Sequence, residues 1–160
     1  MALTDRAPTG LVRTLLRAPI WFYRAGLGGL FGHRLLYLAH RGRSSGLRRE
    51  VVVEVVRFRA DGPEAVVVAA WGGTPQWYRN LQAEPALEVR LGPRRWPRPR
   101  QRLLAPAETV AVLREYQLAH PRAWAQIAPR LGFPAAADDP RWPEVAAAAH
   151  AVAFAPAAAG

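Results

Sequence analysis

The chain has 160 residues, a formal net charge of +10, 51% hydrophobic residues and no cysteine. This length fits one domain, and the composition is typical of a folded domain, not of a disordered chain. The absence of cysteine excludes a disulfide framework, a zinc ribbon, a thiol nucleophile and an iron–sulfur site. The charge, carried by arginine without a single lysine, favours anionic partners such as nucleic acid, anionic lipid or a phosphorylated cofactor.

The first third of the chain includes a segment in which apolar and basic residues alternate. We expect residues 1–18 to be a leader and residues 19–156 to form a single domain. No stretch reaches 18 uninterrupted apolar residues, so no transmembrane helix is expected. Arginines interrupt the apolar residues near the N-terminus, which argues against a signal peptide and favours a cytoplasmic protein.

A helix is predicted to begin near Pro19. Its apolar residues recur at helical spacing and favour packing against the domain. The residues of this face are Ile20, Tyr23, Leu27, Leu30 and Phe31. Because arginines accompany Trp21 and Phe22, residues 11–31 could instead lie on a membrane surface.

Two β-strands follow and predict a hairpin. The apolar run Leu35–His40 precedes the strand candidate Arg49–Phe58, in which valines alternate with Glu50 and Glu54. Asp61-Gly62-Pro63 is a turn signal, and the chain returns as a strand over Val66–Ala70.

The middle of the chain mixes a short helix with further strands. Thr74 and Pro75 are interpreted as the N-cap and first residue of a helix that ends near Ala83. A strand is predicted over Leu87–Leu91. Another is predicted over Arg94–Leu104, where alternate positions would place four arginines and Trp96 on one face, and the prolines indicate an edge strand.

The last third is mostly helical. Helices are predicted over Ala107–His120, over residues 122–131 and over Trp142–Ala149, and a final strand over Ala151–Ala155. Strands in hairpins with helices appended predict an α+β fold, a small antiparallel barrel with flanking helices.

Two segments carry candidate chemistry. The loop Arg41–Arg49 combines glycines, two serine hydroxyls and several arginines, which suits a phosphate. The segment Trp71–Leu81 places a glycine pair before a helix N-terminus, where anions bind favourably, and brings three aromatic rings close together. Together they have the parts of a site for a phosphorylated aromatic cofactor.

These two segments, with the hairpin between them, resemble the F420-dependent nitroreductase and quinone-reductase family. The resemblance rests on the Gly-Arg-x-Ser-Gly loop at residues 42–46 and on Trp77-Tyr78-Arg79-Asn80-Leu81, at this separation. It covers roughly residues 20–125. It implies an antiparallel split β-barrel and a cytoplasmic oxidoreductase that uses the deazaflavin coenzyme F420 to reduce a quinone, nitroaromatic or enone.

The resemblance also implies roles for individual residues. Arg43, Ser44, Ser45, Gly46 and Arg49 would hold the phosphate and acidic tail of the cofactor. Trp71, Gly72, Gly73 and Thr74 would line its ring and side chain, and Trp77, Tyr78 and Asn80 would contact it from the helix.

The chain departs from the family pattern in ways that bear on the substrate. Many members have a basic residue where this chain has Ser44, and Asn-Pro where it has Val51-Val52. The tyrosines of the late helices are largely absent here, which leaves Tyr116 and His120 as candidate proton donors. No clustered metal ligands are evident.

Two other functions stay open at this point. One is an FMN- or haem-binding member of the wider split-barrel group. The other is a basic nucleic-acid-binding module, which rests on the net charge and on the arginines between residues 94 and 102.

Overall fold

The computed structural model describes residues 20, 23–69 and 74–159, and these form one antiparallel sheet with helices around it. The strands are β1 (Leu35–Arg41), β2 (Arg48–Arg59), β3 (Glu64–Ala69), β4 (Glu88–Leu91), β5 (Arg94–Pro97), β6 (Arg100–Leu103) and β7 (His150–Ala155). The helices are a short 3-10 helix (Gly28–Phe31), α1 (Gln76–Ala83), α2 (Pro106–Ala119), α3 (Pro121–Leu131) and α4 (Trp142–Ala148).

The order of the strands requires the sheet to curl. The order is β5-β4-β1-β2-β3-β7-β6, so β5 and β6 are the two edge strands although only Arg98 and Pro99 separate them in the chain. In a flat sheet these strands would lie about 29 Å apart, at about 4.8 Å per strand. Two linking residues span at most about 10 Å. The sheet therefore closes towards a barrel that is split between β5 and β6.

The interior of the barrel is apolar because alternate strand residues point inward. Its centre contains Leu36 and Leu38 from β1, Val67 from β3 and Phe154 from β7, all fully buried. Val51, Val53 and Val55 of β2 pack against the same cluster, which confirms the predicted alternation of this strand. The hairpins between β1 and β2 and between β2 and β3 are also confirmed.

The outer face of β3 and β7 is covered by α2, so these strands are apolar on both faces. Val66 and Ala153 pack there against Val112 of α2. Beyond them, Trp124 stacks on Trp142 with ring centroids 5.5 Å apart, and Phe133 joins the same cluster.

The outer face of β1 is covered by the N-terminal segment. Ile20 and Tyr23 are buried against Tyr37, as the predicted helix required, whereas Leu27 is exposed. The Tyr23 hydroxyl donates a hydrogen bond to the Leu35 carbonyl at 2.5 Å. Most of the proposed membrane-surface segment 11–31, and the leader 1–18, lie outside the described residues. Within the described ranges, no helix is long and apolar enough to cross a bilayer.

A buried carboxylate organises the arginines of this same face. Glu88 is 5% exposed, and both its oxygens accept hydrogen bonds from Arg95 at 3.0 Å, while Arg90 and Arg48 also contact it. Burial alone would raise the pKa of Glu88, but the hydrogen bonds from Arg95 and Arg90 lower it to about 2. The carboxylate is therefore charged at all physiological pH values.

One predicted strand is wrong. Residues 94–104 form two separate strands, because Arg98 adopts a positive φ of 46° that no continuous strand can contain. Trp96 is buried while Arg94 and Arg102 are exposed, so the predicted common face does not exist. The prediction that this segment lies at a sheet edge is confirmed.

Two helix boundaries also differ from expectation. Pro75, not Thr74, occupies the N-cap of α1, and no side chain caps it. Pro121 begins α3 as well as following α2, because a proline is favourable in the first turn of a helix. The helices α2 and α4 and the strand β7 lie within about two residues of the predicted positions. The helix predicted from Pro19 is interrupted, because the chain turns at Gly26, which has a φ of 78°, before the 3-10 helix Gly28–Phe31.

The Glu88 network predicts an acid-sensitive component of stability. A carboxyl whose pKa falls from 4.5 to about 2 on folding contributes about 3 kcal/mol above pH 4.5, and this is lost as the pH falls towards 2. We expect Glu88→Gln to lower the free energy of unfolding at pH 7 and to flatten its decline below pH 4.5, measured by urea denaturation.

The matched control is Glu84→Gln. Glu84 forms an ion pair with Arg41 in which both side chains are 47% exposed, so its loss should cost at most about 1 kcal/mol. An equal loss for the two variants would contradict the role of the buried network.

Candidate functional site

The loop between β1 and β2 is closed by its own backbone. The Gly42 N–H donates to the Leu47 carbonyl, and the Gly46 N–H donates to the Gly42 carbonyl, both at 2.8 Å. A Cβ at Gly42 would lie 2.5 Å from the Ser45 Oγ, so the loop folds over this glycine. Gly46 has a φ of +68°, which other residues rarely adopt. The sequence therefore fixes a compact turn.

Asn80 of α1 anchors this loop to the helix. Its Oδ1 accepts two hydrogen bonds from Arg43, from the backbone N–H at 3.1 Å and from the Nη1 at 3.0 Å. Arg43 Nη1 also donates to Gln76 Oε1 at 2.8 Å. Because Gln76 and Asn80 are four residues apart, they lie on one face of α1. Among the described residues, the Arg43 guanidinium thus has neutral partners only, and no carboxylate compensates its charge.

Two further contacts hold the other side of the loop. Arg41 donates to the Gly46 carbonyl at 2.9 Å and pairs with Glu84 of α1 at 3.3 Å. The Nδ2 of Asn80 contacts the Nδ1 of His40, a buried histidine of β1, at 3.1 Å. The loop is therefore attached to α1 directly through Arg43, and through Arg41, which also holds Gly46.

The outward side of the loop offers donors without partners. Among the described residues, the N–H groups of Ser44 and Ser45 and the Ser44 hydroxyl find no hydrogen-bond acceptor. Arg49, at the start of β2 beside the loop, forms no ion pair among the described residues. With Arg43, these groups make a positively charged surface that can receive an anion with several oxygens.

The aromatic residues of α1 face the barrel. Trp77 packs against the interior cluster. Tyr78 is 6% exposed and stacks on His150 of β7 with ring centroids 4.6 Å apart. Burial raises the pKa of the Tyr78 hydroxyl. Thr74 is half-buried two residues before α1. The candidates Trp71, Gly72 and Gly73 lie outside the described residues.

The two candidate proton donors lie elsewhere. Tyr116 of α2 donates to Glu54 of β2 at 3.4 Å, and its ring lies 5.0 Å from that of His120, which is exposed. Burial and the Glu54 carboxylate raise the pKa of Tyr116. Glu54 is six residues along β2 from Arg48, about 20 Å. The fold therefore does not bring these residues to the loop.

Three residues that hold the loop had no individual role in the prediction, although Arg41 and Gln76 lie in its two candidate segments. They are His40, Arg41 and Gln76. The helical spacing of Gln76 and Asn80 was visible in the sequence, but their common partner Arg43 lies more than 30 residues away, so only the fold identifies the contact.

Fold and site together define a class of protein. It is a split β-barrel with a basic glycine-containing loop docked on α1. Residues 15–128 match the family model described as F420H(2)-dependent quinone reductase. This match covers more than half of the chain, and the chain therefore belongs to the F420H(2)-dependent quinone reductase family.

The chain is also similar to individual proteins. It is 35% identical over 91 residues to an F420H(2)-dependent quinone reductase of Mycobacterium tuberculosis, a match that covers 51% of this chain and 58% of that protein. The chain thus spans less than two thirds of the curated relative.

Two solved structures share the fold. One is an F420-H2 dependent reductase (FDR-A), with a TM-score of 0.51, 21% identity and coverage of 77% of this chain and 95% of that one. The other is a domain-swapped dimer, with a TM-score of 0.54, 17% identity and coverage of 91% and 99%. At these identities the likeness concerns the fold alone, and it confirms the predicted antiparallel split β-barrel.

The positive φ at Gly46 gives a direct test of the loop. A Cβ there would meet no atom within 4 Å, so substitution adds backbone strain without a steric clash. We expect Gly46→Ala to lower the free energy of unfolding by about 1 kcal/mol. Gly46→Asn should cost less, because asparagine tolerates this conformation. Equal costs in urea denaturation would contradict the loop geometry.

Proposed function

We propose that this chain binds reduced coenzyme F420 and transfers a hydride from it to a quinone. The proposal rests on family membership and on one feature of the site: Arg43, held by Asn80, lies beside donors, and in the described part of the chain neither its charge nor these donors have a partner. A nitroaromatic or an enone is an alternative acceptor of the same chemical kind. We place the reaction in the cytoplasm, with residues 11–31 as the segment that would meet a membrane surface.

The residues of the loop fit the anionic part of this cofactor. F420 carries a phosphate and a run of glutamates, and the loop offers backbone N–H groups, hydroxyls and guanidinium groups that favour such oxygens. Arg43, Ser44, Ser45 and Gly46 would hold the phosphate. Arg49, at the start of β2 and without an ion-pair partner in the described part of the chain, would bind the acidic tail.

The remaining proposed residues would orient the ring. When bound, the cofactor supplies a hydride from its reduced deazaflavin, and the chain supplies orientation and exclusion of water. Trp71, Gly72, Gly73 and Thr74 would line this region, next to Trp77 and Tyr78 of α1. Asn80 would serve the site through the hydrogen bonds that its Oδ1 accepts from Arg43 and through the contact of its Nδ2 with His40.

Binding of F420 is the first test. Fluorescence titration should show saturable binding of F420 and none of FMN. Arg49→Ala removes a charge without breaking a hydrogen bond or ion pair of its side chain among the described residues, so we expect it to weaken binding by about tenfold or more.

The control is Arg122→Ala, which removes an equal charge from an exposed position on α3. Equal weakening by both variants would indicate only a general effect of net charge. If FMN binds and F420 does not, the cofactor is wrong; if only duplex DNA binds, the nucleic-acid alternative replaces the proposal.

Tyr116→Phe tests the candidate proton donor separately. Because Tyr116 bonds to Glu54, far along β2 from the loop, we expect the Kd for F420 to be unchanged. A role in proton transfer appears only in kcat with menadione as acceptor, as a fall of about 10²-fold. An unchanged kcat would remove Tyr116 from the catalytic proposal, and His120→Asn is tested in the same assay.

A further inference from the structure

We propose that His40 is a positioning residue for the anion-binding loop. The neutral ring of His40, with no proton on Nδ1, fixes the orientation of the Asn80 amide and so the contacts of Asn80 with Arg43. The loop is therefore competent for binding only while His40 is neutral. The identity of the anion as F420 rests on the proposed function, whereas the coupling between His40 and Arg43 rests on the hydrogen bonds alone.

The hydrogen bonds determine the orientation of the Asn80 amide. Both groups of Arg43 that contact Asn80, the backbone N–H and the Nη1, can only donate. The atom that faces them must therefore be the carbonyl oxygen. The amide NH2 then faces His40, at 3.1 Å from its Nδ1.

This orientation of the amide in turn determines which ring nitrogen of His40 carries a proton. The Asn80 NH2 can only donate, so the Nδ1 of His40 must be an acceptor without a proton. A proton on Nδ1 would point two donors at each other. Rotating the amide would relieve this contact but would turn its NH2 towards the two donors of Arg43. A charged His40 is thus incompatible with the observed loop anchor.

The surroundings of His40 also disfavour its charged form. The ring is 4% exposed, and burial lowers the pKa of His40 below its ordinary value. The charge of Arg49 lowers this pKa further, whereas a hydrogen bond with the Arg41 backbone raises it. Glu84 of α1 is paired with Arg41, and Glu88 of β4 lies opposite Ala39, on the other face of the sheet.

The direction of the pH effect follows from this. Because the pKa of His40 is lower in the folded chain than in the unfolded one, the folded state loses stability as the pH falls from about 6.5 through the folded pKa. We expect the loop anchor to be lost in the same range, with Arg43 no longer held by Asn80. Affinity for the anion should therefore fall on acidification.

Two substitutions test whether position 40 needs a hydrogen-bond acceptor or only a side chain that fills the space. His40→Asn can place a carbonyl oxygen where Nδ1 lies and cannot be protonated, so it keeps the anchor at all pH values. His40→Leu fills space but offers no acceptor. His33→Asn is the control, because His33 is exposed and stacks on Phe58, away from the loop.

The first measurement uses the full chain without any cofactor. Two-bond ¹⁵N–¹H NMR of the histidine rings should show His40 with its proton on Nε2. As the pH is lowered, the Asn80 side-chain amide and the Arg43 backbone amide should shift together with the titration of His40. The proposal would be overturned by a proton on Nδ1 at pH 8, or by an Arg43 amide whose chemical shift does not change with the titration of His40.

The second measurement is the Kd for F420 between about pH 8 and pH 5.5. Because ionisation of the cofactor is common to all variants, each Kd is compared with that of the wild type at the same pH. We expect His40→Leu to bind about tenfold more weakly at pH 8, where His40→Asn and His33→Asn match the wild type.

At the low end of the range, His40→Asn should bind more tightly than the wild type, while His33→Asn should follow the wild type. The positioning role is contradicted if His40→Leu binds F420 as tightly as the wild type, or if His40→Asn loses as much affinity as the wild type on acidification. If the wild type does not bind F420 at pH 8 while the NMR coupling is present, the proposed function fails and the positioning of the loop stands.

Discussion

The two-residue link between β5 and β6 is the constraint on which the fold depends. It joins the opposite edges of a seven-stranded sheet, so the sheet must curl and enclose its apolar face. Hydrogen bonds near this link support the closure. Gln101 of β6 accepts from the Ala86 N–H and donates to the Leu81 carbonyl, both at 3.0 Å. The same closure keeps the end of α1 beside the sheet, and α1 supplies the anchor of the loop.

The arginines of the sheet and of the loop differ in whether a carboxylate lies beside them. On the outer face of β1 and β4, arginines surround Glu88, and their charge is partly neutralised by the buried carboxylate. At the loop, Arg43 has neutral partners, and Arg49 forms no ion pair among the described residues. Other arginines also lack an ion pair among the described residues, so the loop differs from them in the free backbone N–H groups of Ser44 and Ser45 beside Arg43. Under the proposed function, this combination is the place where the positive charge would act on an anion.

The buried polar residues near the loop are another consequence of the fold. His40 and Asn80 are each less than 10% exposed, and a polar group at such a position needs a hydrogen-bond partner. They are partners of each other, and Asn80 also bonds to the loop. A polar pair in the core is thus joined to the surface loop, and under the proposal above a variant at His40 would alter the loop without contacting the bound anion.

The sequence by itself determined the local structure and the family. The alternation in β2, the turn at residues 61–63, the helices after residue 105 and the two motifs all follow from short-range patterns, and the split barrel followed from the resemblance that the motifs carry. The single strand predicted over residues 94–104 failed because Arg98, between Pro97 and Pro99, has a positive φ that ends the strand, whereas the sequence analysis interpreted these prolines only as a sign of an edge strand. Only the tertiary structure decided which polar groups are paired. Hydrogen bonds such as that from Arg43 to Asn80 join residues far apart in the chain, and the neutral state of His40 depends on all three groups together.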